Sequence, residues 1–528
     1  MAIERLSAFD LTNLAVEAAD TPMHVGVIAV VDGCGLLDAA GRPRLAAVHA
    51  RLRAGVCGAP RLRQVVYRPG PLAGRPIWVD DPGFRAERHV ATVAVEPPGG
   101  EAELLRLTER LLAAPLDRTR PLWYLWIVTG LPERRVAVVV QLHHAVGDGA
   151  AAVRLLGALL DPPPPAVGER VAVDGGPWVP APPPSWRRLV AERLCLAAGR
   201  LRRGIRRPRR SEGRSEGRSE GRSEGRSEGR SRRARPGAGR TMRGAWQTLR
   251  RAWAAPRTSL NGPIGVGRRL GVVRLDLAEV KRVAHAAGGK ANDVLLTVVA
   301  GGLRELLLAR GEPVTGLELR VAVTVALRAG DGPASGLNEP AAGGAGPAGG
   351  LNEPAAGGDW PAGGLDDPAG GGDGAAGGRD EAAGGNHNGS VVVRVPVGVA
   401  DPGARLRAVV AETARAKRGQ AAVAQQGFMV AVARAGLARR LSRRQHLVNL
   451  VVSNVPGPPS PVRVLGAPAL ELVPVGALAG NLAISFLALS YAGRLVVTAI
   501  ADRGRFPDLP VVLAGMEREW AALTGTPH

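Results

Sequence analysis

The chain has 528 residues, enough for more than one domain, yet only 3% are aromatic, and its 72 glycines and 43 prolines cannot all lie in packed cores. Three cysteines, Cys34, Cys57 and Cys195, make no disulfide framework or metal-ligand spacing. No apolar run reaches the roughly 18 residues of a membrane span, and Glu4, Asp10, Glu17 and Asp20 are foreign to a signal peptide, so a cytoplasmic setting is expected. The net charge of +22 is local, because 23 arginines against six glutamates fall between Arg187 and Arg257, so a segment rather than the folded body sets it.

In chain order, Val136–Leu142 (VAVVVQL) reads as a buried strand, and Ala150–Leu160 as a helix stopped by Pro162–Pro165. The run Pro180–Pro184 closes a first domain, 1–181. A linker, 182–257, follows. In it Trp186, Leu189, Val190, Leu194, Leu201 and Ile205 recur at helical spacing among arginines, and Ser211-Glu212-Gly213-Arg214 then repeats five times with nothing apolar to bury. The second domain, 258–528, holds a long buried helix at Asn292–Leu308 and strands at Leu319–Leu327, Ser390–Val397, Leu447–Ser453 and Leu495–Ile500. A low-complexity insertion with a fourteen-residue repeat interrupts it at about 331–385. Strands and helices alternate without a glycine-rich phosphate loop, which points to α/β layers and away from a nucleotide fold.

The strand ending at Leu142 runs directly into His143-His144-Ala145-Val146-Gly147-Asp148-Gly149. An imidazole can take and return a proton at neutral pH. Neighbouring side chains of an extended segment point opposite ways, so one histidine can face a substrate while the other is structural. On these residues alone, a satisfied buried pair and a metal site remain alternatives, although no third His or Cys lies nearby. There is no Gly-x-Ser-x-Gly elbow to support a serine nucleophile.

The segment HHAVGDG resembles the HHxxxDG signature of the CoA-dependent acyltransferases. Further matches narrow this resemblance to the bacterial wax ester synthase/acyl-CoA:diacylglycerol acyltransferase family. They are Leu6-Ser7 with Asp10, Thr21-Pro22-Met23-His24-Val25-Gly26, Pro115-Leu116-Asp117-Arg118-Thr119-Arg120-Pro121-Leu122-Trp123, Leu260-Asn261-Gly262-Pro263, Asn292-Asp293-Val294, Ser453-Asn454-Val455-Pro456-Gly457-Pro458, and Ser490-Tyr491 with Asp502 and Pro507-Asp508.

The resemblance implies an α/β fold of two chloramphenicol-acetyltransferase-like domains, mixed sheet plus helices, with an active-site tunnel between them. It also implies acyl transfer from acyl-CoA to diacylglycerol or a long-chain alcohol, with acyl-CoA a substrate and neither cofactor nor metal required. His144 would be the general base and His143 a positioning residue. Asp148, with Gly149, would hold the loop through an arginine, for which Arg328 is a candidate. Asn292 is a candidate contribution from the second domain, with a helix N-cap as its alternative role, and Asn454 is expected to shape a turn. The basic segment 187–210 suits attachment to an anionic membrane or lipid-droplet surface. Nucleic acid is not expected, because no aromatic platform accompanies the arginines. Two other functions compete with this one: transfer from a carrier-protein thioester, and a non-catalytic membrane-binding scaffold.

Overall fold

A computed structural model describes residues 3–147, 155–157, 178–205, 254–326, 388–418, 438–458 and 460–525. Asp148, Gly149, Arg328, the Ser-Glu-Gly-Arg repeats and the insertion at 331–385 lie outside the described residues, as does most of the helix expected at 150–160.

The strands are β1 (His24–Asp32), β2 (Gln64–Tyr67), β3 (Ile77–Asp80), β4 (Val90–Ala94), β5 (Trp123–Thr129), β6 (Arg135–His143), β7 (Arg268–Asp276), β8 (Leu319–Ala326), β9 (Asn388–Val395), β10 (Leu450–Pro456), β11 (Arg463–Val464), β12 (Ala467–Val475), β13 (Ile484–Tyr491) and β14 (Arg494–Asp502). The helices are α1 (Ala8–Val16), α2 (Leu45–Gly58), α3 (Glu101–Ala113), α4 (Trp186–Ile205), α5 (Leu277–Ala286), α6 (Ala291–Ala309), α7 (Pro402–Arg418), α8 (Ala438–Ser442) and α9 (Leu509–Thr524). The strands expected near 136, 319, 390, 447 and 495, and the helix expected at 292–308, are therefore all present, with ends displaced by up to three residues.

Two six-stranded mixed sheets organise these elements. One has the order β11-β12-β1-β6-β5-β4, the other β7-β14-β13-β10-β8-β9, and β2-β3 forms a separate hairpin. In the first sheet the strand period of two divides the side chains cleanly. Val27, Ala29, Val31, Val138 and Val140 join a core with Val48, Leu52 and Val56 of α2. Ile28, Ala137 and Val139 face the other way, into a core shared with α3 and the second sheet. In the second sheet, α6 is buried along most of its length and packs against α9.

The division of the chain at 258 does not describe the sheets completely. β12 leaves the second half and pairs antiparallel with β1, from Gly26↔Val475 to Val31↔Ala469. The hydrogen bonds open on the outer edge of β1 are satisfied by this excursion, which protects an edge that would otherwise be exposed. Polar ties reinforce the join. Arg274 on β7 reaches Glu471 of β12 at 2.5 Å and Glu101 of α3 at 2.9 Å. Glu109 of α3 accepts from the Leu270 backbone N–H at 2.7 Å and pairs with Arg503 at 2.5 Å.

Candidate active site

β1 and β6 pair antiparallel in a register that sets His24 directly opposite His143. The close approach depends on Gly26, where a Cβ would fall 2.0 Å from the Val140 carbonyl oxygen. At the end of β6 the chain turns. His143 is 1% exposed and its Nδ1 accepts the Ala145 backbone N–H at 2.9 Å. A neutral ring with Nδ1 so occupied carries its proton on Nε2, and that nitrogen lies 3.3 Å from Oε2 of Glu17. The His143 ring is thus turned into the protein, with Nδ1 hydrogen-bonded to Ala145 and Nε2 facing the Glu17 carboxylate.

His144, half-buried, begins the turn. Its backbone N–H donates to the Met23 carbonyl at 2.8 Å, and its carbonyl accepts from Nδ2 of Asn13 at 3.4 Å. The two histidines therefore have different surroundings, as the alternation of an extended segment requires. Of the two, His143 is the more deeply buried.

Glu17 was not anticipated as a site residue. It caps the C-terminus of α1, and its side chain is only 11% exposed. It also faces Nε2 of His24 at 3.5 Å and receives Nε of Arg118 at 3.1 Å. Burial pushes its carboxyl upward, but the facing His143 ring and then the Arg118 guanidinium outweigh this and hold it down at about 2. Burial lowers the affinity of His24 for a proton, against the opposing effects of the Leu112 carbonyl and Glu17. Nδ1 of His24 lies 2.9 Å from the Leu112 carbonyl, to which it donates, and 2.6 Å from Nε2 of Gln141. The only sequence signal for Glu17 was its place shortly before the Thr21–Gly26 motif.

The other motifs resolve into supports. Arg118 belongs to the Pro115–Trp123 element, whose Trp123 is 1% exposed, donates to the Leu62 carbonyl at 2.7 Å and stacks on His89 at 4.5 Å. In the second half, Asn292 occupies the second position of α6. The cap position is Lys290, whose backbone N–H donates to Asp293 at 2.7 Å, so the N-cap role considered for Asn292 does not apply. Its Oδ1 instead accepts from Nδ2 of Asn454 at 2.6 Å. Asn454 lies within β10 beside β13, not in a turn as expected, because its backbone is used in parallel pairing. Asn261, Asp502 and Asp508 are fasteners. Asn261 holds the Val448 and Asn449 carbonyls, Asp502 accepts from the Gly265 N–H at 2.6 Å, and Asp508 makes a bidentate pair with Arg310.

Comparison with known proteins matches residues 6–295 to the family model described as wax ester synthase/diacylglycerol acyltransferase catalytic domain, and residues 384–524 to that described as WS/DGAT C-terminal domain. A putative diacylglycerol O-acyltransferase of Mycobacterium tuberculosis is 28% identical over 96% of this chain and 88% of its own. The probable diacylglycerol O-acyltransferase tgs1 of the same organism is 28% identical over 99% and 96%. Among solved structures, the wax ester synthase/diacylglycerol acyltransferase from Marinobacter aquaeolei aligns with a TM-score of 0.59 at 22% identity, covering 98% of both chains. The first condensation domain of the calcium-dependent antibiotic synthetase aligns with a TM-score of 0.52 at 16% identity, over 100% of this chain and 98% of its own. These likenesses carry the two-domain chloramphenicol-acetyltransferase-like fold, and the family match sets aside the non-catalytic scaffold. The chain is an acyltransferase and belongs to the wax ester synthase/diacylglycerol acyltransferase family.

Proposed function

We propose that the protein transfers a fatty acyl group from acyl-CoA to the hydroxyl of diacylglycerol or of a long-chain alcohol, with His144 as general base, in a tunnel between the two halves. What supports His144 as the base is its match to the second histidine of the HHxxxDG signature, together with the setting of the other ring: His143 is 1% exposed, its Nδ1 accepts from Ala145 and its Nε2 faces Glu17. His144 takes the hydroxyl proton as the oxygen attacks the thioester carbonyl. The tetrahedral oxyanion then collapses, the C–S bond breaks, and the CoA thiolate leaves with the proton held by His144. The Asn292–Asn454 pair is our candidate contribution from the second half, and Asp148 and Gly149 keep their proposed part in shaping the loop. Diacylglycerol is the acceptor we place first.

Because these acceptors are insoluble in water, we assign the arginine-rich segment 187–210 to a membrane or lipid-droplet surface. Among the described residues no helix is long and apolar enough to cross a membrane, and α4 leaves Trp186 and Leu194 exposed.

Purified protein given radiolabelled palmitoyl-CoA with diolein or hexadecanol, in parallel, should form labelled neutral lipid. His144→Ala should lower turnover by roughly 10²- to 10⁴-fold. Undiminished turnover in that variant would refute the assigned base, and product formed from palmitoyl-acyl-carrier protein but not from palmitoyl-CoA would refute the donor.

A further inference from the structure

The last turn of α1 grips the catalytic segment from both sides. Asn13 and Glu17 are four residues apart, hence on one face of the helix, and both are shielded from solvent. Asn13 holds the His144 carbonyl at 3.4 Å. Glu17 faces the ring of His143 at 3.3 Å and, through Oε1, accepts the Met23 backbone N–H at 3.4 Å, while the carbonyl of Met23 holds the His144 N–H at 2.8 Å. The backbone of the proposed base is therefore fixed at its carbonyl and its amide, and the residue before it is fixed by its ring.

We propose that Glu17 is a positioning residue for acyl transfer: its carboxylate locks the tautomer and orientation of His143 and, through Met23, sets the backbone from which His144 reaches the substrate. Glu17 touches neither substrate nor reacting atoms. The proposal rests on reading His144 as the base. The charged and titratable groups facing Glu17 are His143 from β6, His24 from β1 and Arg118 from the segment after α3. Buried carboxylates often serve only to satisfy neighbouring cations, and a purely structural Glu17 would affect folding alone. A positioning Glu17 affects the chemical step, because a displacement of about 1 Å in a reacting group costs roughly 10²-fold in rate.

The test uses the full chain as Glu17→Gln and Glu17→Asp, with palmitoyl-CoA and diolein as substrates, measuring kcat, KM for palmitoyl-CoA, and kcat/KM against pH. Glu17→Gln keeps the shape but removes the charge. It should lower kcat about ten- to a hundredfold with KM for palmitoyl-CoA changed by less than about threefold. The acidic limb of its pH profile should move to lower pH, because loss of a nearby negative charge makes protonation of the base less favourable. Glu17→Asp keeps the charge on a shorter arm and should lower kcat without moving that limb, and it serves alone should the Gln variant fail to fold. Wild-type kcat with an unmoved acidic limb in folded Glu17→Gln, or wild-type kcat in Glu17→Asp, overturns the proposal. Failure of the underlying reading shows separately, as retained turnover in His144→Ala.

Discussion

Glu17 also gives the site a signature in stability. Its carboxyl is held at about 2 in the folded protein, against an ordinary value of 4.5; burial raises it, and His143 and Arg118 overcome that rise. A depressed carboxyl contributes stability that is fully present above its unfolded pKa and is lost as pH falls toward the folded value. Here the window runs from about 4.5 down to about 2, and the shift corresponds to about 3 kcal/mol. Glu17→Gln should therefore be less stable than the parent near pH 6, with the gap between their urea unfolding midpoints closing as pH falls through that window. A gap that stays constant down to pH 3 would show that the charge is not the source. The histidine pair was legible in the sequence because its chemistry and spacing are local. Glu17 was not, because an acid capping a helix looks like any other until β1 and β6 bring His24 and His143 against it.

At the level of elements, the register that joins those two histidines depends on how closely β1 approaches β6, and Gly26 sets that distance. It is flanked by Gln141 of β6 and Val475 of β12, and an added Cβ would meet the Val140 carbonyl at 2.0 Å. Backbone atoms in the middle of a six-stranded sheet cannot step aside as a flexible side chain does. Gly26→Ala should thus cost about 1–3 kcal/mol, as overpacking in a tight core does. It should also lower acyl transfer, because β1 carries His24 and leads back to Glu17. Thermal melting and the palmitoyl-CoA assay, run together, check both. Unchanged values would mean that the strands separate at little cost. Gly26 was visible in the sequence as part of a motif, yet the reason for a glycine there needed the strand pairing. β12 was not among the strands expected from the sequence, and even an alternating apolar pattern carries no mark of which sheet it will join, because the pairing with β1 depends on a partner more than 400 residues earlier in the chain.

At the scale of the whole molecule, the proposed function asks an arginine-rich enzyme to meet acceptors that do not dissolve, and α4 is where charge and apolar surface coincide. The helical period in the sequence located this helix; which stripe docks onto the protein depended on packing. Leu189 is fully buried against Ala73 and Ile77, Glu192 pairs with Arg5 at 2.6 Å, and Arg193 donates to the Leu72 carbonyl at 2.8 Å, so the helix is fixed to the first sheet's half. Trp186, Leu194 and the neighbouring Leu72 are left 53%, 64% and 66% exposed, beside the exposed Arg187. Large apolar side chains rimmed by arginine suit the headgroup region of an anionic bilayer, where each basic residue near the surface adds about 1 kcal/mol. Co-sedimentation with vesicles should show binding when they contain phosphatidylserine and little with phosphatidylcholine alone, with the attraction weakening as salt rises. Trp186→Ala combined with Leu194→Ala removes the apolar anchors without touching Leu189 or the Arg5–Glu192 pair. It should weaken vesicle binding at least about tenfold, since burying one such side chain contributes about 1.5–3 kcal/mol, while turnover on detergent-solubilised diolein stays at the parent level. Equal binding by parent and double variant would move the contact elsewhere on the protein, and binding to polyanionic nucleic acid in preference to phosphatidylserine vesicles would assign the arginines to a different partner.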